Sequence, residues 1–286
     1  MPMSTSVLID APSLADLLKQ PAQNLLLLDC RHVLTEPAAG ALAYAQGHIP
    51  GALHAHLDTV MSTQPTGTNG RHPLPDPQTF ADSMAELGAS DDTLIVAYDA
   101  GESVYPSRLW WMLRWVGHDR IRILDGGLQA WLDAGGELTT DQPRRGARGD
   151  FSVRTGSMAT LSFADVLGNI ASKEYLVVDA RGADRYRGEN ETIDPVGGRI
   201  PGALNRPFKD NLEANGRFKS PERLREEFRE LLGDTPPGRV VHQCGSGVSA
   251  CNNLLAMEIA GLEGGRLYPG SWSEWCHQPE APVATG

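Results

Sequence analysis

The 286-residue sequence predicts an α/β protein of two tandem domains, each a mostly parallel sheet flanked by helices on both faces. Three observations lead there. Short apolar runs of buried-strand type alternate with helical patterns. One set of motifs occurs twice, in the same order. A polar stretch bearing Gly and Pro separates the two copies.

The strands come first. Leu25-Leu-Leu-Leu-Asp-Cys-Arg31 returns as Tyr175-Leu-Val-Val-Asp-Ala-Arg181, and each is an aliphatic run closed by an acid and a turn. Gly47-His-Ile-Pro-Gly-Ala52 returns as Gly198-Arg-Ile-Pro-Gly-Ala203. The run Leu94–Ala97, ending at Asp99, returns as Val240–Gln243, ending at Cys244. Asp125-Gly-Gly-Leu-Gln-Ala-Trp131 returns as Pro269-Gly-Ser-Trp-Ser-Glu-Trp275. Four matches in the same order, at an offset near about 150 residues, imply two homologous domains of about 130 residues. The reading is a first domain over 1–138, a linker over 139–150 and a second domain over 151–286.

Helices fill the gaps between strands. Ser220 is an expected N-cap with Pro221 at the first helical position. Leu224, Phe228 and Leu231-Leu232 then make one apolar face. A second helical pattern runs over Ala250–Ala260. In parallel sheets covered on both faces, sites lie beyond the C-terminal ends of the strands, which is where Cys244 falls.

Bulk properties narrow the function. The formal net charge is −11, which disfavours nucleic acid and anionic membrane as partners. The longest purely aliphatic run, Leu25–Leu28, is far short of a membrane span. The opening Met-Pro-Met-Ser-Thr-Ser lacks the basic-then-apolar pattern of a signal peptide, so a cytoplasmic location is expected. Four cysteines without Cys-x-x-Cys or His/Cys spacing make neither a disulfide framework nor a metal site.

Cys244 stands apart from Cys30, Cys251 and Cys276, which read as packing residues. It begins the turn Cys244-Gly-Ser-Gly-Val-Ser-Ala250, between a buried strand and a helix N-terminus. Unpaired N–H groups and the helix dipole favour an anion there. Gly245 and Gly247 let the backbone curl around one point, and Ser246 and Ser249 add hydroxyl donors. A thiolate so placed is nucleophilic near neutral pH. Three chemistries use such a loop. Cysteine phosphatases need an arginine six residues on, where this chain has Ala250. Thiol proteases need a paired histidine and an oxyanion hole, and no protease cysteine motif is present. The third is sulfur transfer through a persulfide.

The loop Cys244-Gly-Ser-Gly-Val-Ser-Ala-Cys251 resembles that of the mercaptopyruvate branch of the two-domain rhodanese family. The resemblance spans nearly the whole chain. It includes Asp29-Cys-Arg31, Asp179-Ala-Arg181, Gly47–Ala52, Asp125-Gly-Gly127, Arg185-Tyr-Arg-Gly188 and Gly270-Ser-Trp-Ser-Glu-Trp275. It implies two rhodanese-like domains, with the catalytic cysteine in the second only. The first copy, with Asp99 at the matching strand end, is then catalytically silent.

The resemblance also implies site roles. Cys244 is the nucleophile, and the loop at Gly245, Gly247, Val248 and Ser249 contacts the substrate. Arg185 holds a carboxylate, for which its planar fork suits better than lysine. A Ser-His-Asp arrangement is implied at Ser246, His72 and Asp58, in which a hydroxyl relays a proton if the histidine orients it. The neutral Gly245 and Ser246 stand where thiosulfate-using relatives carry cations, so a monoanionic keto acid is the expected donor. The implied activity moves sulfur from 3-mercaptopyruvate to cyanide, a thiol or thioredoxin, without metal or organic cofactor. A thiosulfate:cyanide sulfurtransferase and a persulfide carrier acting only with a partner are the alternatives. Two departures stand out. Glu191-Thr-Ile-Asp-Pro-Val-Gly197 lacks the second arginine usual in animal relatives, and Arg199 replaces the histidine of His-Ile-Pro-Gly. Arg199 is therefore expected as a second contact for carboxylate or sulfite.

Overall fold

The computed structural model of the chain describes residues 7–20, 24–143 and 146–286. Residues 1–6, read above for a signal peptide, and Arg144-Arg145 of the predicted linker lie outside them. The chain forms two compact units. One takes in the chain up to Ser62, Pro75–Ser157 and Ala214–Phe218. The other takes in Thr63–Leu74, Met158–Glu213 and Lys219–Gly286. The two sheets fall within 1–138 and 151–286, and two short segments pack with the unit of the other copy.

The first unit holds strands β1 (Leu8–Ile9), β2 (Leu25–Asp29), β3 (Leu53–His54), β4 (Leu94–Tyr98) and β5 (Ile121–Leu124). They pair in the order β1-β5-β4-β2-β3, every pair parallel, with Leu27 opposite Val96. Helices cover the sheet because its central strands are apolar on both faces. Leu14, Leu27, Val96, Tyr98 and Trp131 pack into one cluster, and the helix Val104–Trp115 buries Trp110 and Trp111. Each large side chain removed from water contributes roughly 1.5–3 kcal/mol.

The second unit repeats this plan with β6 (Ala159–Thr160), β7 (Leu176–Asp179), β8 (Leu204–Asn205), β9 (Val240–Gln243) and β10 (Arg266–Leu267). The order is β6-β10-β9-β7-β8, again all parallel. The middle strand is β4 in the first sheet and β9 in the second. Val177, Val241, Tyr268, Trp272 and Trp275 share one cluster. The helix Pro221–Leu232 starts where expected. Ser220 caps it by accepting from Arg223 N–H at 3.2 Å, and Leu224, Phe228 and Leu232 are buried.

The repeated motifs are one device used twice. Arg31 grips Asp29 through Nε and Nη2, and its Nη2 also donates to Gly47 O at 2.7 Å. Arg181 grips Asp179 in the same way and donates to Gly198 O at 2.6 Å. The Asp-x-Arg strand end therefore anchors the Gly-x-Ile-Pro-Gly turn. That turn in each unit also bridges a later segment antiparallel, His48 with Thr139 and Arg199 with Ala284. Among the described residues, no helix is long and apolar enough to cross a membrane.

Candidate active site

Strand β9 delivers Cys244, which is 1% exposed. Its N–H donates to Ser271 Oγ at 3.1 Å, and its carbonyl accepts from Trp272 N–H at 2.9 Å. The carbonyl of Gly245 accepts from Ser273 N–H at 2.8 Å. The loop is thus pinned to 270–273, the second half of the repeated Trp motif. Ser271 is itself left-handed at φ 55°, and its hydroxyl donates to Tyr268 O. Gly247 sits at φ +75°, and a Cβ there would lie 2.3 Å from Pro269 O. Only glycine lets the loop curl this tightly.

The helix Ala250–Ile259 follows. Cys251 N–H reaches Val248 O and Asn252 N–H reaches Ser249 O, both at 3.1 Å. The first turn of this helix is its positive end. The Cys251 thiol donates to Gly247 O at 3.4 Å, a bracing role for the loop. Among the described residues none of the four cysteines is in a disulfide. His242, on β9, is fully enclosed, and burial pushes its imidazole down to about 3. It lies against Met257 Sδ at 3.0 Å and is a core residue.

The segment Thr63–Leu74 brings His72 and Arg71 to this loop. Gly70, at φ +85°, passes within contact of the Gly270 backbone. Arg71 N–H donates to Ser273 Oγ at 2.9 Å. His72 Nδ1 is 2.7 Å from Ser246 Oγ, and both side chains are buried.

Arg185 arrives from the short helix Ala183–Arg187. Its Nε donates to both oxygens of Glu191, at 3.1 and 2.9 Å, and its Nη2 donates to Asp194 Oδ2 at 3.0 Å. Burial alone would raise the Glu191 carboxyl. The Arg185 guanidinium and the N–H groups of Asp194 and Ile193 outweigh it and hold the group below the usual carboxylate range. Arg71 Nη1 donates to the other oxygen of Asp194 at 2.7 Å. Both guanidinium groups border Gly245. Arg71 Nη2 lies 3.1 Å, and Arg185 Nη1 3.7 Å, from where a Cβ on Gly245 would stand.

Most of the sequence-derived site residues therefore meet in the second unit: Cys244, Ser246, His72, Arg185 and the loop Gly245–Ser249. Two lie elsewhere. Arg199 stacks on the Tyr186 ring at 4.7 Å and donates to Gly286 O at 2.6 Å, tying down the C-terminal segment. Asp58 belongs to the first unit, at the start of the helix Leu57–Val60. There His32, His56 and Asp58 bring possible ligand atoms within 4.8 Å of one another. His56 has both ring nitrogens engaged, Nδ1 accepting from Asp58 N–H and Nε2 at Pro37 O, so this is a hydrogen-bonded cluster rather than a metal centre. Sequence reasoning missed Arg71, Ser271 and Asp194. The one signal for Arg71 was its place beside His72.

The Rhodanese-like domain family matches residues 10–134 and 162–278. A probable 3-mercaptopyruvate sulfurtransferase of Pseudomonas aeruginosa is 43% identical over 286 residues, covering 99% of this chain and 100% of that protein. A putative thiosulfate sulfurtransferase of Mycobacterium tuberculosis, SseB, is 36% identical over 98% of this chain and 97% of its own length. The crystal structure of SseA from Escherichia coli, a 3-mercaptopyruvate sulfurtransferase, superposes with a TM-score of 0.79 at 32% identity, over 94% of this chain and 99% of that one. The chain belongs to the rhodanese family, with the domain in two tandem copies, and is a sulfurtransferase.

Proposed function

We propose that the enzyme takes sulfur from 3-mercaptopyruvate onto Cys244 and passes it to a thiophilic acceptor. The Cys244 thiolate attacks the donor's sulfur, and the sulfur–carbon bond breaks with its electron pair going to C3. The donor's thiol proton ends on C3, so the products are pyruvate and a Cys244 persulfide anion. The loop N–H groups and the open end of the following helix stabilise that anion. The acceptor then attacks the outer sulfur and returns Cys244 as thiolate. Cyanide serves in an assay, and a thiol or thioredoxin in a cell. The reducing cytoplasm, where such thiols stay reduced, is the compartment this reading expects. The chemistry is complete without a metal or organic cofactor.

One observation carries the choice of donor: the His72–Ser246 hydrogen bond beside the nucleophile, at 2.7 Å. Breaking a carbon–sulfur bond leaves a carbanion that must be protonated. Breaking the sulfur–sulfur bond of thiosulfate releases sulfite, which needs no proton. A buried hydroxyl–imidazole pair is useful in the first reaction and idle in the second. Arg185 supports the same donor by presenting a guanidinium edge for the carboxylate, with the backbone of Gly245, Gly247, Val248 and Ser249 forming the loop around it. Asp58 as third member of the relay rests on the resemblance.

Thiosulfate remains the second reading, favoured by the M. tuberculosis relative and by the cation of Arg71 beside Gly245. Comparing kcat/KM for the two donors tests both, in wild type and in S246A. The expected result is a preference for 3-mercaptopyruvate, with S246A losing roughly 100-fold on that donor and little on thiosulfate. A wild type that prefers thiosulfate, or an S246A equally impaired on both, overturns the proposal. Multiple turnover with small donors and acceptors alone rules out the pure carrier role.

A further inference from the structure

We propose that Gln243 is a positioning residue for the reaction at Cys244. Its buried carboxamide and Arg181 Nη1 close around one ordered water, and that water ties the strand end carrying Cys244 to the Asp179–Arg181 anchor. The inference rests on Cys244 as the sulfur-bearing residue and is independent of the donor.

Four observations carry it. First, Gln243 is fully buried, and neither its Nε2 nor its Oε1 has a hydrogen-bond partner among the described residues. Native proteins seldom bury a whole carboxamide in that condition. Second, Arg181 Nη1 is buried in the same condition. Glu191 Oε2 stands 3.6 Å from it, a charge contact rather than a hydrogen bond. Third, both side chains belong to one face of the second sheet. Asp179, which Arg181 grips, is the register partner of Gln243 on β7. Gln243 shares a face of β9 with Val241, which clusters with Trp272, and the Arg181 guanidinium lies over the Trp272 ring at 4.5 Å. Fourth, the first copy fills the same place differently. There Tyr98 matches Gln243 and Leu124 matches Tyr268. The Tyr98 hydroxyl accepts directly from Ile49 N–H at 3.2 Å.

The donor set selects the ligand. Gln243 Oε1 needs a donor, whereas Gln243 Nε2 and Arg181 Nη1 need acceptors. An anion satisfies only the nitrogens, and a cation only the oxygen. Water satisfies both, with the two to four polar partners that a buried water takes. Asp179 already meets the charge of Arg181, so no counter-ion is called for. The result is a two-point tie. The Gln243 carbonyl accepts from Ala180 N–H at 2.8 Å, and the water holds the Gln243 side chain to Arg181. The residue just ahead of the nucleophile is thus gripped by both backbone and side chain, which fixes the direction in which Cys244 leaves the strand.

The test compares Q243M, similar to glutamine in size but without its polar atoms, with Q243Y/Y268L, which imports the pair of the first copy. The readouts are sulfur loading of Cys244 by intact mass, kcat and KM with either donor, and Tm. Q243M is expected to lower kcat roughly 10-fold, with KM within about threefold of wild type. Its Tm is expected to fall by about 2–4 °C. Q243Y/Y268L is expected to regain Tm but not kcat. An unchanged kcat in Q243M overturns the inference. So does a Q243M of higher Tm, because an apolar side chain relieves a carboxamide that has no partner. A double variant that regains kcat together with Tm also overturns it, since the role is then packing alone. A crystal structure of the wild type gives a reading that needs no variant to fold. A water within hydrogen-bond distance of Gln243 and Arg181 supports the inference, and a direct bond from the Gln243 side chain to protein in its place overturns it. A wild type whose Cys244 gains no sulfur from any donor sinks the functional reading instead, so the two failures are distinguishable.

Discussion

The loops after β4 and β9 occupy the same place in the two sheets and hold different anions. After β4, Asp99 turns its carboxylate into its own loop. One oxygen accepts from Gly101 N–H at 2.9 Å and Ser103 N–H at 3.0 Å, and the other from Val104 N–H at 2.8 Å. After β9, the matching residue is Cys244, whose own N–H and carbonyl are held from outside by Ser271 and Trp272. The strand–turn–helix junction is in both cases an anion cradle. In the first unit the chain fills the cradle with its own carboxylate. In the second, under the function proposed above, the cradle surrounds a thiol that gains and loses a sulfur. On that proposal the catalytic copy is the one whose anion is not built in.

The sharpest way to break the comparison is to remove the sulfur. C244S should abolish turnover with either donor, and intact-mass measurement should show no added sulfur after donor treatment. Retained turnover in C244S would mean that the β9 loop is no more the reaction centre than the β4 loop. The converse test is D99A. The N–H groups of Gly101, Ser103 and Val104 lose their acceptor, the first and last of them only part-buried, and each costs about 1–3 kcal/mol when fully buried, so a stability loss on the order of 3 kcal/mol is expected in urea unfolding. Burial pushes the Asp99 carboxyl up while the loop N–H groups pull it down, so part of that loss is offset by no longer burying a charge. A D99A variant as stable as wild type would show that the carboxylate is not what closes the first loop.

These contrasts show what was legible in the sequence. The strands β2, β4, β7 and β9 were readable because each opens on an aliphatic run and closes on a polar residue or turn. The two-residue strands β1, β3, β6, β8 and β10 were not, because two residues carry no periodicity. Cys244 was legible because its nucleophile, glycines and hydroxyls are adjacent in the chain. Arg71 was not, because its partners Asp194 and Gly245 lie far along the chain and an arginine in a Gly-rich turn reads as a solvated charge. Asp194, in Ile193-Asp-Pro195, likewise reads as a surface turn until two guanidinium groups are found on it. Ser271 has no signal at all, since its role depends on a left-handed backbone that only tertiary packing imposes. Arg199 misled because a cation in a family motif suggests a ligand, whereas its guanidinium closes the C-terminal segment.

The finest difference between the two cradles lies two residues before each strand-end anion. There β4 carries Ala97 and β9 carries His242, both fully buried. Ala97 is indifferent to pH. His242 is held neutral by burial, with its folded pKa pushed down to about 3. The unfolded chain takes up the proton near the ordinary histidine value of about 6.5. The unfolded state therefore binds more protons below that value, and stability falls with acid. The contribution of neutral His242 is fully present above about pH 6.5 and is lost as pH drops toward 3. At pH 5 the loss approaches about 2 kcal/mol, at roughly 1.36 kcal/mol per pH unit. H242L should remove that slope. The difference in urea-unfolding free energy between wild type and H242L should shift by about 2 kcal/mol in favour of the variant from pH 8 to pH 5. A parallel pair of curves would mean that His242 is solvated enough to titrate in the folded state, and that the β9 cradle rests on a wetter core than the β4 one.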